Sequence, residues 1–208
     1  GEAPLHNFVR IRSKDMKMMQ MLVDKGADVN ARDKTDETTS LHFAVNNEKN
    51  LMEMVHMLLD KGAEVNIQGS CRETQLNSDF RKRQINFGVT PFHIAVQNKQ
   101  MEMVRMLLVK GADVNARNRS QESPLHISVG NKHMEMVQLL LDKGAEVNAR
   151  NKHGVTSLNL AVGNKQMESV RVLLNKGADV NARSDSGWTP LYVAILKQDM
   201  EMVKMLLD

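Results

Sequence analysis

Four histidines at matching places in the chain are the first candidates for chemistry, because imidazole is a common zinc ligand. They are His6, His42, His93 and His126. Each follows a Thr-Pro-Leu-like string, so equivalent ring positions would lie one helix-packing distance apart, about 8–10 Å. Zinc holds each nitrogen at about 2.0–2.1 Å, so no two of these rings could share an ion. The sequence therefore predicts no metal site.

Catalytic and phosphate-binding patterns are absent from the sequence. There is no Gly-x-Gly-x-x-Gly, no Gly-Lys-Ser/Thr and no His-Glu-x-x-His. Cys71 is the only cysteine and has no histidine beside it in sequence, so an ordinary loop thiol is the simplest interpretation. We predict a noncatalytic protein that needs no cofactor.

A row of arginines is the strongest candidate binding site. Its members each follow a Val-Asn-Ala string, and they are Arg32, Arg117, Arg150 and Arg183; Gln68 breaks the row in the second repeat. Three of them are followed two residues later by another basic residue, namely Lys34, Arg119 or Lys152. Stacking would space the guanidinium groups by roughly 8–10 Å, and arginine's planar fork suits carboxylates and phosphates. An extended peptide rises about 3.3 Å per residue, so acids three residues apart would match the row. An acidic extended partner and ordinary solvated arginines are both consistent with this pattern.

These residues recur because the chain is an array of one unit. The string Gly-Ala-Asp/Glu-Val-Asn occurs five times, and the last three copies start 33 residues apart, at Gly111, Gly144 and Gly177. A Thr/Ser-Pro-Leu-His-like string lies at a fixed offset, as in residues 90–95 and 123–128. We predict one domain over residues 1–208, with repeats at about 1–32, 33–68, 85–117, 118–150, 151–183 and 184–208.

Local chemistry predicts two short helices in each unit. Thr or Ser followed by Pro marks an N-cap and the first helical position. The first helix should end at an asparagine, which tolerates a left-handed cap; the candidates are Asn98, Asn131 and Asn164. The second helix, over residues 101–108, should end at Gly111. Neither helix can bury its apolar side alone, so the units must stack. The recurrent methionines of the second helix are predicted to lie in the core: Met54, Met103, Met136 and Met202.

The 33-residue period and the Thr-Pro-Leu-His-x-Ala signature resemble the ankyrin repeat family over essentially the whole chain. The resemblance implies an all-α solenoid of about six helix–turn–helix repeats with β-turn fingers and a concave palm. It also implies binding of another protein rather than catalysis. By resemblance, the repeated histidine forms a hydrogen bond with the finger backbone. Asn159, at the same position of its repeat, could form a similar bond. It is less obvious how Tyr192 would do so. Several finger asparagines match sites that an asparagine hydroxylase can modify in this family: Asn30, Asn115, Asn148 and Asn181.

Two further groups are candidates for contact with a partner. Trp188 and Tyr192 are the only tryptophan and the only tyrosine, and both types are common interface hot spots. Trp188 could instead pack against a neighbouring finger. The finger after Gly62 is 16 residues longer than most others, with an insertion at about residues 69–84 that carries Phe80, Arg81 and Arg83. Long loops of this kind are either functional or plain insertions, and both alternatives stay open.

Composition narrows the class of partner. The 208 residues carry a net charge of +3, and aromatic residues make up 3%. Few rings are therefore available for base stacking, which disfavours nucleic acid; binding of RNA or an oligonucleotide through the basic fingers is the alternative function.

No apolar stretch reaches the ~18 residues of a membrane span. The cytoplasm or nucleus is the favoured compartment. We expect a monomeric fragment, because the chain begins at Gly1 and its repeat pattern points to an array that continues beyond Asp208.

Overall fold

Short helices make up almost all of the regular structure. The computed structural model describes residues 5, 8–9, 16–34, 37–46, 52–70 and 87–207. Eleven helices lie in this part of the chain: α1 Met16–Asp24, α2 Ser40–Asn46, α3 Met52–Asp60, α4 Pro91–Gln97, α5 Met101–Val109, α6 Pro124–Gly130, α7 Met134–Asp142, α8 Ser157–Gly163, α9 Met167–Asn175, α10 Pro190–Leu196 and α11 Met200–Leu207. The predicted all-α fold is confirmed. None of these described helices has the length and apolar character to cross a membrane.

The first helices of the third to sixth repeats begin as the sequence predicts. Thr90 takes the extended conformation of an N-cap, with φ −91° and ψ 164°, and its hydroxyl accepts a hydrogen bond from the backbone N–H of His93. Pro91 occupies the first helical position, where its missing N–H would have had no partner within the helix. The helix then ends after seven residues, at Gln97.

The left-handed residue after this helix differs from the prediction. Asn98 is the C-cap, but its φ is −83°, and the left-handed residue is the next one, Lys99, with φ 58°. Lys132 and Lys165 repeat this conformation with φ 55° and 56°. The interpretation that asparagine takes the left-handed position is therefore wrong. Lysine accepts the cost of positive φ at a position exposed to solvent.

The second helix ends at glycine, as predicted. Lys110 caps α5, and Gly111 follows with φ 86°, a conformation that a side chain would strain. The N–H of Gly111 donates to Leu108 O and that of Ala112 to Leu107 O, which satisfies two terminal carbonyls. The repeats that the structure describes in full are thus helical hairpins, each followed by a finger.

The chain forms two compact units, Gly1–Asp113 and Val114–Asp208. In the first, α2 packs on α3 and α4, and α4 packs on α5. In the second, α6 packs on α7 and α8, α8 on α9 and α10, and α10 on α11. The predicted methionine core is confirmed, since the side chains at the matched positions of the second helices are all buried: Met54, Met103, Met136 and Met202. The predicted domain and repeat boundaries stay predictions.

The long finger begins and ends in a two-stranded antiparallel ribbon. Strand β1, Gly69–Ser70, pairs with strand β2, Phe87–Val89, and the partners are Gly69 with Val89 and Ser70 with Phe87. Val89 then leads directly into Thr90, the N-cap of α4. Phe80, Arg81 and Arg83 lie outside the described residues.

Candidate functional site

In two repeats the histidine joins the cap of the first helix to the next finger. In the second unit, His126 Nδ1 accepts a hydrogen bond from the backbone N–H of Ser123, at 3.3 Å. The proton is therefore on Nε2, which donates to the carbonyl of Val155, at 3.1 Å. His42 makes the same pair of contacts, with Thr39 N and with Val89 O. The predicted bond to the finger backbone is confirmed, and these rings act as structural connectors.

Burial keeps the imidazole of His126 neutral. Loss of solvent lowers its pKa below the ordinary value of 6.5, and the bond to the Val155 carbonyl opposes this effect only partly. Among the described residues there is no group of three or more histidine, cysteine, aspartate or glutamate side chains that could hold a metal ion. His6 lies outside that part of the chain.

Asn159 makes only one of the two contacts that the histidine makes, the contact with the helix cap. Its Oδ1 accepts hydrogen bonds from the backbone N–H and the hydroxyl of Thr156, at 3.1 and 2.8 Å. Its buried Nδ2 has no hydrogen-bond partner among the described residues. The expectation that Asn159 reaches the next finger is therefore wrong, because its side chain is too short to serve both the cap and the finger.

Tyr192 occupies the same repeat position but lies at the surface. Its backbone N–H donates to the cap Thr189 at 3.2 Å, while its side chain packs beside Trp188, with the ring centroids 5.7 Å apart and the planes inclined by 51°. The two residues are 45% and 48% exposed. They form an exposed aromatic pair, the kind of surface that favours protein contacts.

Asparagines of the fingers hold the turn after the second helix of the next repeat, which has the sequence Gly-Ala-Asp/Glu. We call this pair of contacts the asparagine clamp. Asn148 Nδ2 donates to Gly177 O at 3.1 Å, and its Oδ1 accepts from Asp179 N at 2.7 Å. The same two contacts recur at Asn115, with Gly144 and Glu146. In the first unit Asn30 and Asn66 act in the same way. Sequence analysis missed this role, although the strict Val-Asn recurrence carries the signal.

The finger arginines bind neighbouring backbone instead of standing as an open row. Arg117 donates to the carbonyl of Arg150 at 3.2 Å and pairs with Glu146 at 2.8 Å. Arg150 donates to the carbonyl of Arg183 at 2.7 Å and pairs with Asp185 at 3.2 Å. In the first unit Arg32 donates to Gln68 O at 3.2 Å. Sequence analysis offered two interpretations of these arginines, a row open to an acidic partner or side chains surrounded by solvent. The structure shows neither: these three arginines connect neighbouring fingers, and we call them finger staples. Their predicted contact with a partner stays a prediction.

Three predicted site residues lie together on two adjacent fingers of the second unit. Lys152 and Arg183 are exposed, and neither side chain has a hydrogen-bond or ionic partner in the part of the chain that the structure describes. The backbone N–H of Asp185 donates to His153 O at 3.0 Å, which joins their fingers. Ser184 N donates to Trp188 O at 3.0 Å, so Trp188 closes the finger that begins beside Arg183. Arg119 and Lys34 are also exposed.

In three repeats, the lysine that directly precedes the glycine after the second helix is held by an acid. Lys61 pairs with Asp24 at 3.0 Å, Lys110 with Asp60 at 2.7 Å and Lys176 with Asp142 at 2.9 Å. The hydrogen bond from Lys110 lowers the pKa of Asp60, and that from Lys176 lowers the pKa of Asp142. These three lysines are therefore engaged by carboxylates within the protein.

Comparison with family profiles agrees with this geometry. A profile of ankyrin repeats in three copies matches residues 1–69 and 71–151, and a second ankyrin profile matches residues 161–207. The chain belongs to the ankyrin repeat family. No individual curated protein matches it. Ankyrin repeats generally serve as protein-interaction modules, and the caps, clamps and staples described above are the internal contacts that hold such repeats together.

Proposed function

We propose that this ankyrin repeat protein is a noncatalytic adaptor that binds a partner protein through the fingers of its second unit. The binding surface comprises Lys152, Arg183 and Trp188, with Arg119 and Tyr192 beside them. The observation that carries the proposal is the presence of two exposed cations without ionic partners and an exposed indole on two hydrogen-bonded fingers.

The chemistry of this surface selects the partner. Arginine and lysine recognise carboxylates, and an exposed indole provides a large apolar anchor. Since Arg150 and Arg117 already hold the neighbouring fingers, binding requires little additional ordering of the backbone, which favours affinity. The expected ligand is an extended acidic segment of another protein with an apolar residue near its acids. The predicted partner contacts of Arg32 and Lys34 in the first unit, and of Phe80, Arg81 and Arg83 in the long finger, stay separate predictions.

The test uses selection from a displayed library of random peptides, followed by titration of the fluorescence of the sole tryptophan. Wild-type protein should enrich acidic peptides that shift Trp188 emission on binding. The double variant Lys152→Glu/Arg183→Glu should lose at least about tenfold in affinity, as expected for two lost charge-assisted contacts. Lys152→Arg/Arg183→Lys preserves charge, and Arg171→Glu changes charge on α9 away from the fingers; both should bind nearly as the wild type does.

Two outcomes would contradict the proposal. One is enrichment of no peptide above background, or of peptides whose affinity the charge reversal leaves unchanged. The other is tight binding of random-sequence RNA with an affinity that falls steeply as salt rises, which would favour the anionic-ligand function instead.

A further inference from the structure

Ser120 lies at the tip of the finger that precedes α6. The turn is closed by two backbone hydrogen bonds, from Gln121 N to Asn118 O at 2.8 Å and from Asn118 N to Glu122 O at 3.1 Å. The amide of Asn118 also holds the carboxylate of Glu122, at 3.1 Å. Ser120 is half-buried, and its hydroxyl has no hydrogen-bond partner in the part of the chain that the structure describes. A modification of this hydroxyl would therefore cost the finger none of its own contacts.

The backbone of Ser120 contacts the basic residue of the next finger. The N–H of Lys152 donates to Ser120 O at 2.9 Å. Lys152 is exposed, and its side chain has no partner among the described residues. Because the two backbones touch and the lysine side chain is long and flexible, its ammonium group would reach a phosphate carried by Ser120. A phosphate adds about −1.5 to −2 charges and three strong acceptor oxygens, which suit this cation.

Basic residues also precede Ser120 along the chain. Arg119 stands directly before it and is exposed. Arg117, three residues before it, is held by Glu146 at 2.8 Å and by the carbonyl of Arg150 at 3.2 Å. Protein kinases select substrates partly by such charge patterns. A kinase with an acidic substrate cleft would therefore meet Arg119 first at the surface of this finger.

We propose that Ser120 is a phosphorylation site and that its phosphate pairs with Lys152. A serine kinase supplies ATP, and Ser120 Oγ attacks the γ-phosphorus. The Oγ–P bond forms as the bond from that phosphorus to the β-phosphate oxygen breaks, ADP leaves, and the hydroxyl proton passes to the catalytic aspartate of the kinase. The new charge engages Lys152 and repels carboxylates, so it weakens binding of an acidic segment at the fingers.

Ser186 offers a matched comparison within the same unit. It occupies the same fingertip position as Ser120, it is exposed, and its hydroxyl has no partner among the residues described. The residue directly before it is Asp185, whereas Arg119 stands directly before Ser120. A kinase that selects basic sequences should therefore modify Ser120 in preference to Ser186.

The first experiment asks whether the folded protein is a substrate. The 208-residue chain is incubated with magnesium, ATP and a serine kinase that prefers arginine before its target, and the modified residues are mapped by mass spectrometry. Phosphate should appear at Ser120 ahead of Ser186. Ser120→Ala should abolish the main product, and Arg119→Glu should slow its formation. No phosphate at Ser120, or equal rates at the two serines, would overturn the proposal.

The second experiment tests the pairing with Lys152 and needs neither kinase nor ligand. Phosphoserine is incorporated at position 120 during synthesis, and the second pKa of its phosphate is measured by phosphorus NMR. A nearby cation favours the dianion and lowers this pKa, so Lys152→Ala should raise it. Lys165→Ala, which removes an exposed lysine between α8 and α9, should leave it unchanged. Equal values for the wild type and Lys152→Ala would overturn the pairing.

The effect on binding rests on the function proposed above. Protein that carries phosphate at position 120 should bind the selected acidic peptide at least about tenfold more weakly than unmodified protein. Ser120→Ala should bind as the wild type does, and the phosphate should have a smaller effect in Lys152→Ala.

The outcomes separate the two proposals. If no acidic peptide binds the unmodified protein, the proposed function fails, while the mapping and the phosphorus titration still decide the site and its pairing. If the peptide binds and the phosphate leaves its affinity unchanged, control of binding by Ser120 is overturned and the proposed function stands.

Discussion

Two consecutive repeats of the second unit, residues 151–183 and 184–207, carry similar residues at two matching positions but differ in how far those positions are buried. In the first, Val162 is 1% exposed and Gly154 packs against the following finger. In the second, Ile195 is 57% exposed and Gly187 has open space around it. The difference shows that the position of Val162 and Ile195 becomes core only when a following repeat covers it, whereas Met202 on α11 is buried although no described repeat follows it.

Glycine substitution should give the largest contrast between these repeats. Gly154 and Gly187 both have positive φ, 68° and 79°, so alanine at either costs about 1–2 kcal/mol in left-handed strain. A Cβ at Gly154 would also lie 2.8 Å from the backbone N of Asp185 and would touch Arg150. This overpacking adds about 1–3 kcal/mol at Gly154 alone. Urea unfolding should therefore rank Gly154→Ala well below Gly187→Ala; equal losses would contradict the comparison.

The asparagine clamps should give the next largest contrast. Asn148→Ala removes two bonds to the next repeat, worth about 1–3 kcal/mol together. Asn181→Ala removes no observed side-chain contact and should change the free energy of unfolding by less than about 0.5 kcal/mol. Chemical denaturation of the two single variants measures the difference. A loss at Asn181 as large as that at Asn148 would mean that the asparagine stabilises its own finger.

A histidine at position 159 should restore the missing hydrogen bond between this helix cap and the next finger. Asn159→His would keep the bonds to Thr156 and add an Nε2 donor aimed at the next finger, while removing a buried amide that lacks a partner. We expect a gain of about 1 kcal/mol in the free energy of unfolding. The converse change His126→Asn should cost about 1–3 kcal/mol, because it leaves a buried group unpaired. Destabilisation by Asn159→His would show that this repeat cannot accommodate the ring.

The smallest expected effect is a dependence on pH. Burial lowers the pKa of His126, so the unfolded chain takes up a proton at a higher pH than the folded chain does. The contribution of His126 to stability is therefore full above the ordinary value of 6.5 and declines as the pH falls below it. The unfolding free energy of His126→Asn, measured from neutral to mildly acidic pH, should fall less steeply than that of the wild type. Parallel curves would exclude this role.

Local residue types were enough to predict the helical hairpins. The Thr90–Pro91 cap and the Gly111 stop act within a few residues of chain, and both are found. The left-handed position was misplaced by one residue because asparagine and lysine stand side by side, and only the backbone shows which of them takes positive φ.

The contacts between repeats could be predicted only in part. Asn148 and its partners Gly177 and Asp179 are about 30 residues apart, so the clamp depends on the stacking register. The arginine row was visible in the sequence, but its use as staples depends on where the neighbouring finger carbonyls lie. Only the structure therefore shows that Arg150 is engaged by the next finger while the side chains of Lys152 and Arg183 have no partner among the described residues. The sequence shows all three only as basic finger residues.

Hydrogen exchange of the backbone amides of α8 and α10 tests the central claim most directly. Both helices have seven residues and the same kind of cap, but only α8 is covered on both sides by first helices of neighbouring repeats. The account predicts that amides of α8 exchange far more slowly than those of α10 under native conditions. Equal protection of the two helices would contradict it, because burial would then be set within each repeat rather than by its neighbour.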